Sequence, residues 1–314
     1  MIPPDSPQAG RLQSALSQVK GLEEGDFESA SHAYNVALEI ASNTNDSRLE
    51  LQTLTFAADV DGFHLRWPKA LEKGLRLEKL SSGFDDRRAE LSAHTWCFLP
   101  SVLTGELKAA TVHSAAMLAP AAEFLRHHIY GSRAFYANAL TAWLVGDFEK
   151  ALEFCDQGLA ASRHDPSLLS IKAIIECELG NEDESNAVLD RLRDGAEQSA
   201  PVPNRERIFS SVTIPAVSRI VGYADLAAAG ESYRREILSS ATSTPQAVAF
   251  ARIGGGLLSI CRNDSGLAAE YYSALAGSPG VELGIVFGYP IGRFLGLLAH
   301  TSGQLEISHA HFEE

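Results

Sequence analysis

The stretch GDFEKALEFCDQGL at residues 146–159 decides the fold, and it has a close copy, GDFESASHAYNVAL, at residues 25–38. Each copy begins with a glycine, an acid and an aromatic residue, has an alanine three residues after the aromatic, and continues with apolar residues at helical spacing. We expect the glycine to take the left-handed conformation that ends one helix, and the acid to cap the next helix. The pattern therefore predicts the turn and the second helix of a helical hairpin.

Weaker copies of this turn recur along the chain. The turns begin at residues 25, 62, 105, 146, 180, 222, 263 and 303, in steps of 34 to 43 residues. In three weaker copies we expect the small residue that lets the two helices approach to be Ala110, Ala187 and Ala310. A regular step of about forty residues is typical of helix-pair solenoids. We therefore predict an all-α, right-handed superhelical solenoid of antiparallel helix pairs with a concave inner face.

Two prolines predict where helices begin, and one stretch of low helical character predicts an interruption between repeats. Proline is tolerated in the first helical turn, so Pro68 and Pro166 each predict the start of a helix. The least helical stretch is 195–207. We predict helical repeats over 1–194, an irregular linker or kink over 195–207, and further repeats over 208–314. The sequence stops about two turns into a second helix, so we expect the last hairpin to be truncated and the chain to be a fragment of a longer protein.

Composition and charge argue against several classes of function. The net charge is −14 and the 26 Lys and Arg residues are dispersed, so we expect no contact with nucleic acid. There is no apolar stretch of the roughly 20 residues that a membrane helix needs, and no signal-peptide pattern. Cys97, Cys155, Cys177 and Cys261 lie in apolar stretches without metal-ligand spacing, which predicts buried thiols in a reducing compartment. We therefore expect a cytoplasmic protein without membrane contact.

The sequence contains no motif typical of catalysis, metal binding or cofactor binding. His127 and His128 are adjacent, and His309 and His311 are two apart, so on a helix neither pair converges on one ligand. The run Gly254-Gly255-Gly256 lacks the lysine and hydroxyl residue of a phosphate loop, so we expect a close helix–helix crossing there. We therefore predict no enzyme activity, no cofactor and no metal site in this chain, while a catalytic module could lie elsewhere in a parent protein.

The most specific pattern lies in residues 239–314. It comprises SSATSTP at 239–245, AAEYYSAL at 268–275 and FLGLLA at 294–299. These segments and the glycine turns resemble tetratricopeptide repeats with a stretched step, like those in the C-terminal helical regions of bacterial LuxR-type regulators and multidomain adenylate/guanylate cyclases. The resemblance implies a helical-repeat region of a larger bacterial signalling or transcription-regulatory protein.

Two functions follow as hypotheses from this architecture. The first is a scaffold that binds a protein or peptide partner, or another domain of the parent chain. The alternative is a solenoid that senses a small molecule in its concave groove and controls an attached output domain. Arg126, Arg133 and Tyr136 lie one to two turns apart on a predicted inner helix, and we expect them to line the groove because Arg and Tyr are common anchors at interfaces.

Overall fold

The computed structural model describes residues 2–124, 128–200, 202–222, 224–277 and 291–313, and every regular element in these ranges is helical. The helices, in chain order, are α1 (Pro7–Gln18), α2 (Phe27–Thr44), α3 (Ser47–Phe63), α4 (Trp67–Ser81), α5 (Arg87–Leu103), α6 (Leu107–Ala116), α7 (Leu118–Ala121), α8 (His128–Leu144), α9 (Phe148–Ala161), α10 (Pro166–Glu178), α11 (Glu182–Gln198), α12 (Arg205–Val221), α13 (Ala224–Ser239), α14 (Pro245–Cys261), α15 (Ser265–Ala276), α16 (Ile291–Thr301) and α17 (Leu305–Glu313). A π-helical turn, Val19–Glu23, follows α1, and a 3₁₀ turn, Ala122–Phe124, follows α7. The predicted all-α class is confirmed.

The chain forms two compact units: Met1–Ala137 with Ala241–Gln246, and Asn138–Ser240 with Ala247–Glu314. In the first unit, α1 packs on α2, α3 on α4 and α5 on α6, and each first helix also packs on the next first helix. In the second unit, α10 packs on α11, α12 on α13 and α16 on α17. Consecutive helices thus pack in neighbouring pairs within each unit. α11 and α12 both extend into residues 195–207, while the proposed boundaries of the repeat regions stay a prediction.

The turn chemistry predicted from the repeat is confirmed at most positions. The glycines at 25, 105, 146, 180, 222 and 303 have φ between +70° and +82°, and Asn263 has φ of +51°. The side chains of Asp26 and Asp147 cap α2 and α9 by accepting from the backbone N–H groups of Ser29 and Lys150, each at 3.0 Å. Helices also begin at the predicted prolines, at Trp67 for Pro68 and at Pro166 itself.

Gly62 is the exception, because it lies inside α3 and not in the turn. The left-handed residue of this turn is Leu65, with φ of +60°. A Cβ added at Gly62 would lie 1.9 Å from the indole of Trp96 on α5. This glycine therefore makes room for a neighbouring helix, and the prediction of a turn at Gly62 is wrong by a few residues.

A small residue four positions after the helix cap is buried in several of the second helices of the pairs. Ala30, Ala110 and Ala151 are fully buried there. The predictions for Ala187 and Ala310 are wrong, because both are exposed. Two serines take the position instead: Ser185 donates to the carbonyl oxygen of Ala173 at 2.7 Å, and Ser308 donates to that of Gly296 at 2.9 Å. The crossing requires a small side chain and not alanine in particular.

The three glycines of α14 meet three different neighbours in the second unit, as predicted for a close helix crossing. A Cβ at Gly254 would lie 2.0 Å from the carbonyl oxygen of Ser211. A Cβ at Gly255 would lie 2.4 Å from Tyr271, and one at Gly256 would lie 2.7 Å from Phe294. The cost of three glycines in one helix is therefore offset by close packing.

Three of the four cysteines are buried, as predicted from the sequence. Cys97, Cys155 and Cys177 are buried as predicted, but Cys261 at the end of α14 is exposed. Cys261 is the last residue of its helix. Among the described residues, there is no helix that combines the length and the apolar character needed to cross a bilayer.

Candidate binding groove

A groove of about 560 Å³ lies in the first unit, where α1, α3 and α5 come together. These are the first helices of three consecutive pairs, so the groove depends on how the pairs stack. Its lining is Arg11, Arg48, Leu51, Gln52, Thr55, Phe56, Phe84, Asp85, Asp86, Arg88 and Ala89. The volume falls in the range of about 300–1,000 Å³ that is typical of ligand sites.

The floor of the groove is apolar and its rim is polar. Leu51, Phe56 and Ala89 are buried in the floor. Gln52 and Arg48 are exposed at the rim, one turn apart on α3. An apolar floor with a few polar groups around it is the usual composition of a site that binds and orients a ligand.

Three guanidinium groups set the charge of the rim. Arg11 contacts Asp46 through Nη2 and Oδ2 at 3.1 Å, with its side chain 48% exposed. Arg88 lies over the ring of Phe56, 5.9 Å from the centroid. Arg48 is exposed and makes no ion pair within the described part of the chain. The three arginines share the lining with two carboxylates, Asp85 and Asp86, and Arg11 is already paired with Asp46, so the positive charge open to a ligand lies mainly at Arg48.

The two carboxylates of the rim differ in their hydrogen bonds and in their exposure to solvent. Asp86 caps α5, since its Oδ1 accepts from the backbone N–H groups of Arg88 at 3.1 Å and Ala89 at 3.0 Å. Asp85 points into solvent with its side chain 95% exposed, 3.9 Å from Arg87. Neither carboxylate makes an ion pair with Arg48. The guanidinium of Arg48 is therefore available to a ligand group that carries negative charge.

Two of the three residues predicted from the sequence to line a groove are described, and they lie on another helix. Arg126 lies outside the described residues. Arg133 and Tyr136 are half-buried on α8 and do not belong to the lining of this groove. The Nη1 of Arg133 lies 3.8 Å from Oδ1 of Asp59 on α3. A role of these three residues in binding remains a prediction.

Asp59 links Arg133 to the packing of the first unit. Its Oδ1 also accepts a 2.8 Å hydrogen bond from Nε1 of Trp96. Burial raises the pKa of Asp59, and the positive charge of Arg133 and the hydrogen bond from Trp96 partly oppose this increase. Arg133 therefore has a structural partner at a buried carboxylate, in addition to any contact with a ligand.

No sequence motif marks Arg11, Arg48 and Arg88 as a group. They lie about forty residues apart on α1, α3 and α5, close to the repeat step. This spacing is the signal that could have found them, because residues one repeat apart occupy neighbouring positions in stacked pairs. A scan against protein-family models and a search of curated proteins gave no match to this chain.

Proposed function

We propose that this chain is a helical-repeat interaction module whose groove binds an extended, acidic segment of a partner protein. In this proposal the helix pairs continue as a right-handed, tetratricopeptide-like superhelix, and the module is the regulatory or scaffolding part of a larger bacterial signalling or transcription-regulatory protein. The observation that carries the proposal is the set of three arginines, Arg11, Arg48 and Arg88, at the rim of one groove.

Charge complementarity supports an acidic occupant. A carboxylate that reaches Arg48 would meet an exposed guanidinium with no ion pair in the described residues, so little existing contact would have to break. Arginine binds carboxylates through two parallel N–H donors, which adds orientation to the attraction. The apolar floor at Leu51 and Phe56 would accept an aliphatic or aromatic side chain of the same segment.

Selection from a random twelve-residue peptide library displayed on phage tests this proposal. We expect the selected peptides to be enriched in Asp and Glu, and a synthetic copy to bind in fluorescence anisotropy. The double variant Arg48→Glu/Arg88→Glu should weaken binding at least tenfold, because each substitution places a negative charge against the acidic peptide. Lys108→Glu changes the same charge at an exposed position of α6 outside the groove, and should leave the affinity within a factor of two.

Two outcomes would contradict the proposal. The first is a set of selected peptides without acidic enrichment. The second is equal binding to the double variant and to the wild-type chain, which would place the peptide at another surface. Raising the salt concentration should also weaken binding, since the contacts are exposed ion pairs.

The volume of the groove favours a second candidate function, the sensing of an anionic small molecule. A ligand of this kind would bind the same arginines and shift the packing of α1, α3 and α5. A thermal-shift screen with di- and tricarboxylates and phosphate esters separates the two candidates. A rise in Tm that Arg48→Glu/Arg88→Glu abolishes would favour the sensor over the peptide-binding module.

A further inference from the structure

Three side chains from three consecutive helices meet at one point in the first unit: Glu78 on α4, His94 on α5 and His113 on α6. Each offers one metal-ligating atom, and these atoms all lie within 4.8 Å of one another. The two imidazole Nδ1 atoms are 3.2 Å apart, and Nδ1 of His94 is 3.8 Å from Oε1 of Glu78. This cluster lies outside the lining of the groove.

These separations are close to those of ligands around one ion. Zinc binds imidazole nitrogen at about 2.0–2.1 Å in tetrahedral geometry, so two ligand atoms on one zinc ion lie about 3.3–3.4 Å apart. The Nδ1 atoms of His94 and His113 already match this separation within about 0.2 Å. Oε1 of Glu78 would have to move closer to both imidazoles, since it lies 3.8 Å from Nδ1 of His94 and no more than 4.8 Å from the ligating nitrogen of His113. The side chain of Glu78 is 42% exposed and has room for this movement.

The charge of the cluster also suits a cation. Glu78 brings a carboxylate to within 3.8 Å of an imidazole nitrogen, and a bound divalent ion would offset its negative charge.

We propose that Glu78, His94 and His113 bind a divalent transition-metal ion of the zinc class through Oε1 of the carboxylate and Nδ1 of each imidazole. Two histidines and one glutamate form a known zinc donor set that leaves a fourth position for water. Here the exposed edge of Glu78 gives solvent access to that position. This proposal is independent of the groove and its occupant.

The ion would join two neighbouring helix pairs. Its ligands come from the second helix of one pair and from both helices of the next, so binding would hold α4, α5 and α6 together. Because the folded chain would bind the ion and the unfolded chain would not hold these three groups together, the metal would raise the stability of the first unit. Without a metal, the contact between His94 and His113 is a single imidazole–imidazole hydrogen bond with one ring as donor.

Titration of the full chain with Co²⁺ and Zn²⁺ tests the site, after treatment with a chelator and dialysis. We expect the visible absorption of four-coordinate Co²⁺ to saturate at one ion per chain and to disappear when Zn²⁺ is added. Isothermal titration with Zn²⁺ should give the same stoichiometry. Zn²⁺ should also raise the Tm of the wild-type chain.

Matched variants assign the ion to these residues. His94→Gln and His113→Gln should each weaken Zn²⁺ binding at least tenfold and abolish the Co²⁺ spectrum. Glu78→Gln leaves both histidines in place and changes a partly exposed side chain. This variant should therefore fold normally and weaken Zn²⁺ binding less than the histidine variants do. His32→Gln, at an exposed position of α2, should leave binding unchanged.

The proposal fails if the wild-type chain shows no saturable Co²⁺ spectrum. It also fails if Glu78→Gln and the histidine variants bind Zn²⁺ as tightly as the wild-type chain, since the ion would then occupy other exposed histidines. Should a histidine variant not fold, Glu78→Gln and the Zn²⁺-dependent Tm of the wild-type chain decide the question.

Discussion

The indole Nε1 of Trp96 donates a 2.8 Å hydrogen bond to Oδ1 of Asp59, which joins the first helices of two successive pairs through a buried polar contact. The same indole covers Gly62, on the turn of α3 that follows Asp59. Trp96 is 2% exposed and Asp59 is 8% exposed. The indole of Trp96 thus fills the space over Gly62 and also donates a hydrogen bond to the buried carboxylate of Asp59, which would otherwise lose a partner.

Asp59→Asn is expected to change how stability depends on pH. Burial raises the pKa of Asp59, so the folded chain binds its proton more tightly than the unfolded chain does. The stability that Asp59 contributes is therefore fully present below the unfolded pKa of about 4 and is lost as the pH rises through the folded pKa. The uncharged asparagine can still accept a hydrogen bond from Trp96, and its contribution to stability does not fall as the pH rises.

Urea unfolding between about pH 4 and about pH 7 measures this effect. The free energy of unfolding of Asp59→Asn should increase relative to that of the wild type as the pH rises, so the variant becomes relatively more stable. Asp85→Asn is the control, because it removes the same charge from a side chain that is 95% exposed. A difference between wild type and Asp59→Asn that is constant or falls with rising pH would contradict the prediction.

Gly254→Ala should destabilise the second unit, because the new Cβ would lie 2.0 Å from a backbone oxygen of α12. Backbone cannot move aside as a side-chain end can, so we expect a loss of about 1–3 kcal/mol, beyond any gain in helix propensity. Gly266→Ala is the control at an exposed position of α15, where the nearest contact of the new Cβ is an ordinary 3.5 Å. Equal stability of the two variants in thermal unfolding would show that the crossing is not tight.

Ala151→Leu is expected to cost about 1–3 kcal/mol through overpacking, because Ala151 is fully buried on α9. Ala187→Leu makes the same change at an exposed position of α11 and should shift stability by no more than about 0.5 kcal/mol. Denaturant unfolding compares the two variants. A similar cost at both positions would argue against the helix register that places Ser185, and not Ala187, at the crossing.

Thiol labelling should single out Cys261. Burial raises the pKa of Cys97 and of Cys155 to about 12, so neither forms the reactive thiolate in the folded chain near neutral pH. Burial also raises the pKa of Cys261, but its side chain is exposed, so it should react with a disulfide reagent first, with one thiol per chain in the fast phase. Cys261→Ser should remove that phase, and denaturant should release the buried thiols. Fast labelling that persists in Cys261→Ser would mean that the fold opens at another cysteine.

The sequence by itself determined the local structure of this protein. Gly146 and Asp147 predict a left-handed turn and a helix cap from a few neighbouring residues, and the structure has both. Such features are readable because their geometry depends on the dihedral angles and hydrogen bonds of adjacent residues. The same repeat failed at Gly62, where a tryptophan from another helix, and not the local chain, requires a glycine.

Only the tertiary structure decided which side chains meet. Arg11, Arg48 and Arg88 share a groove, and His94 and His113 face each other, because stacked helices bring together residues far apart in sequence. The rotation and height of each helix in the stack are set by the packing of its small crossing residues and aromatic side chains. The helical pairs could thus be predicted from periodicity, whereas the candidate sites depend on distances that the linear pattern does not contain.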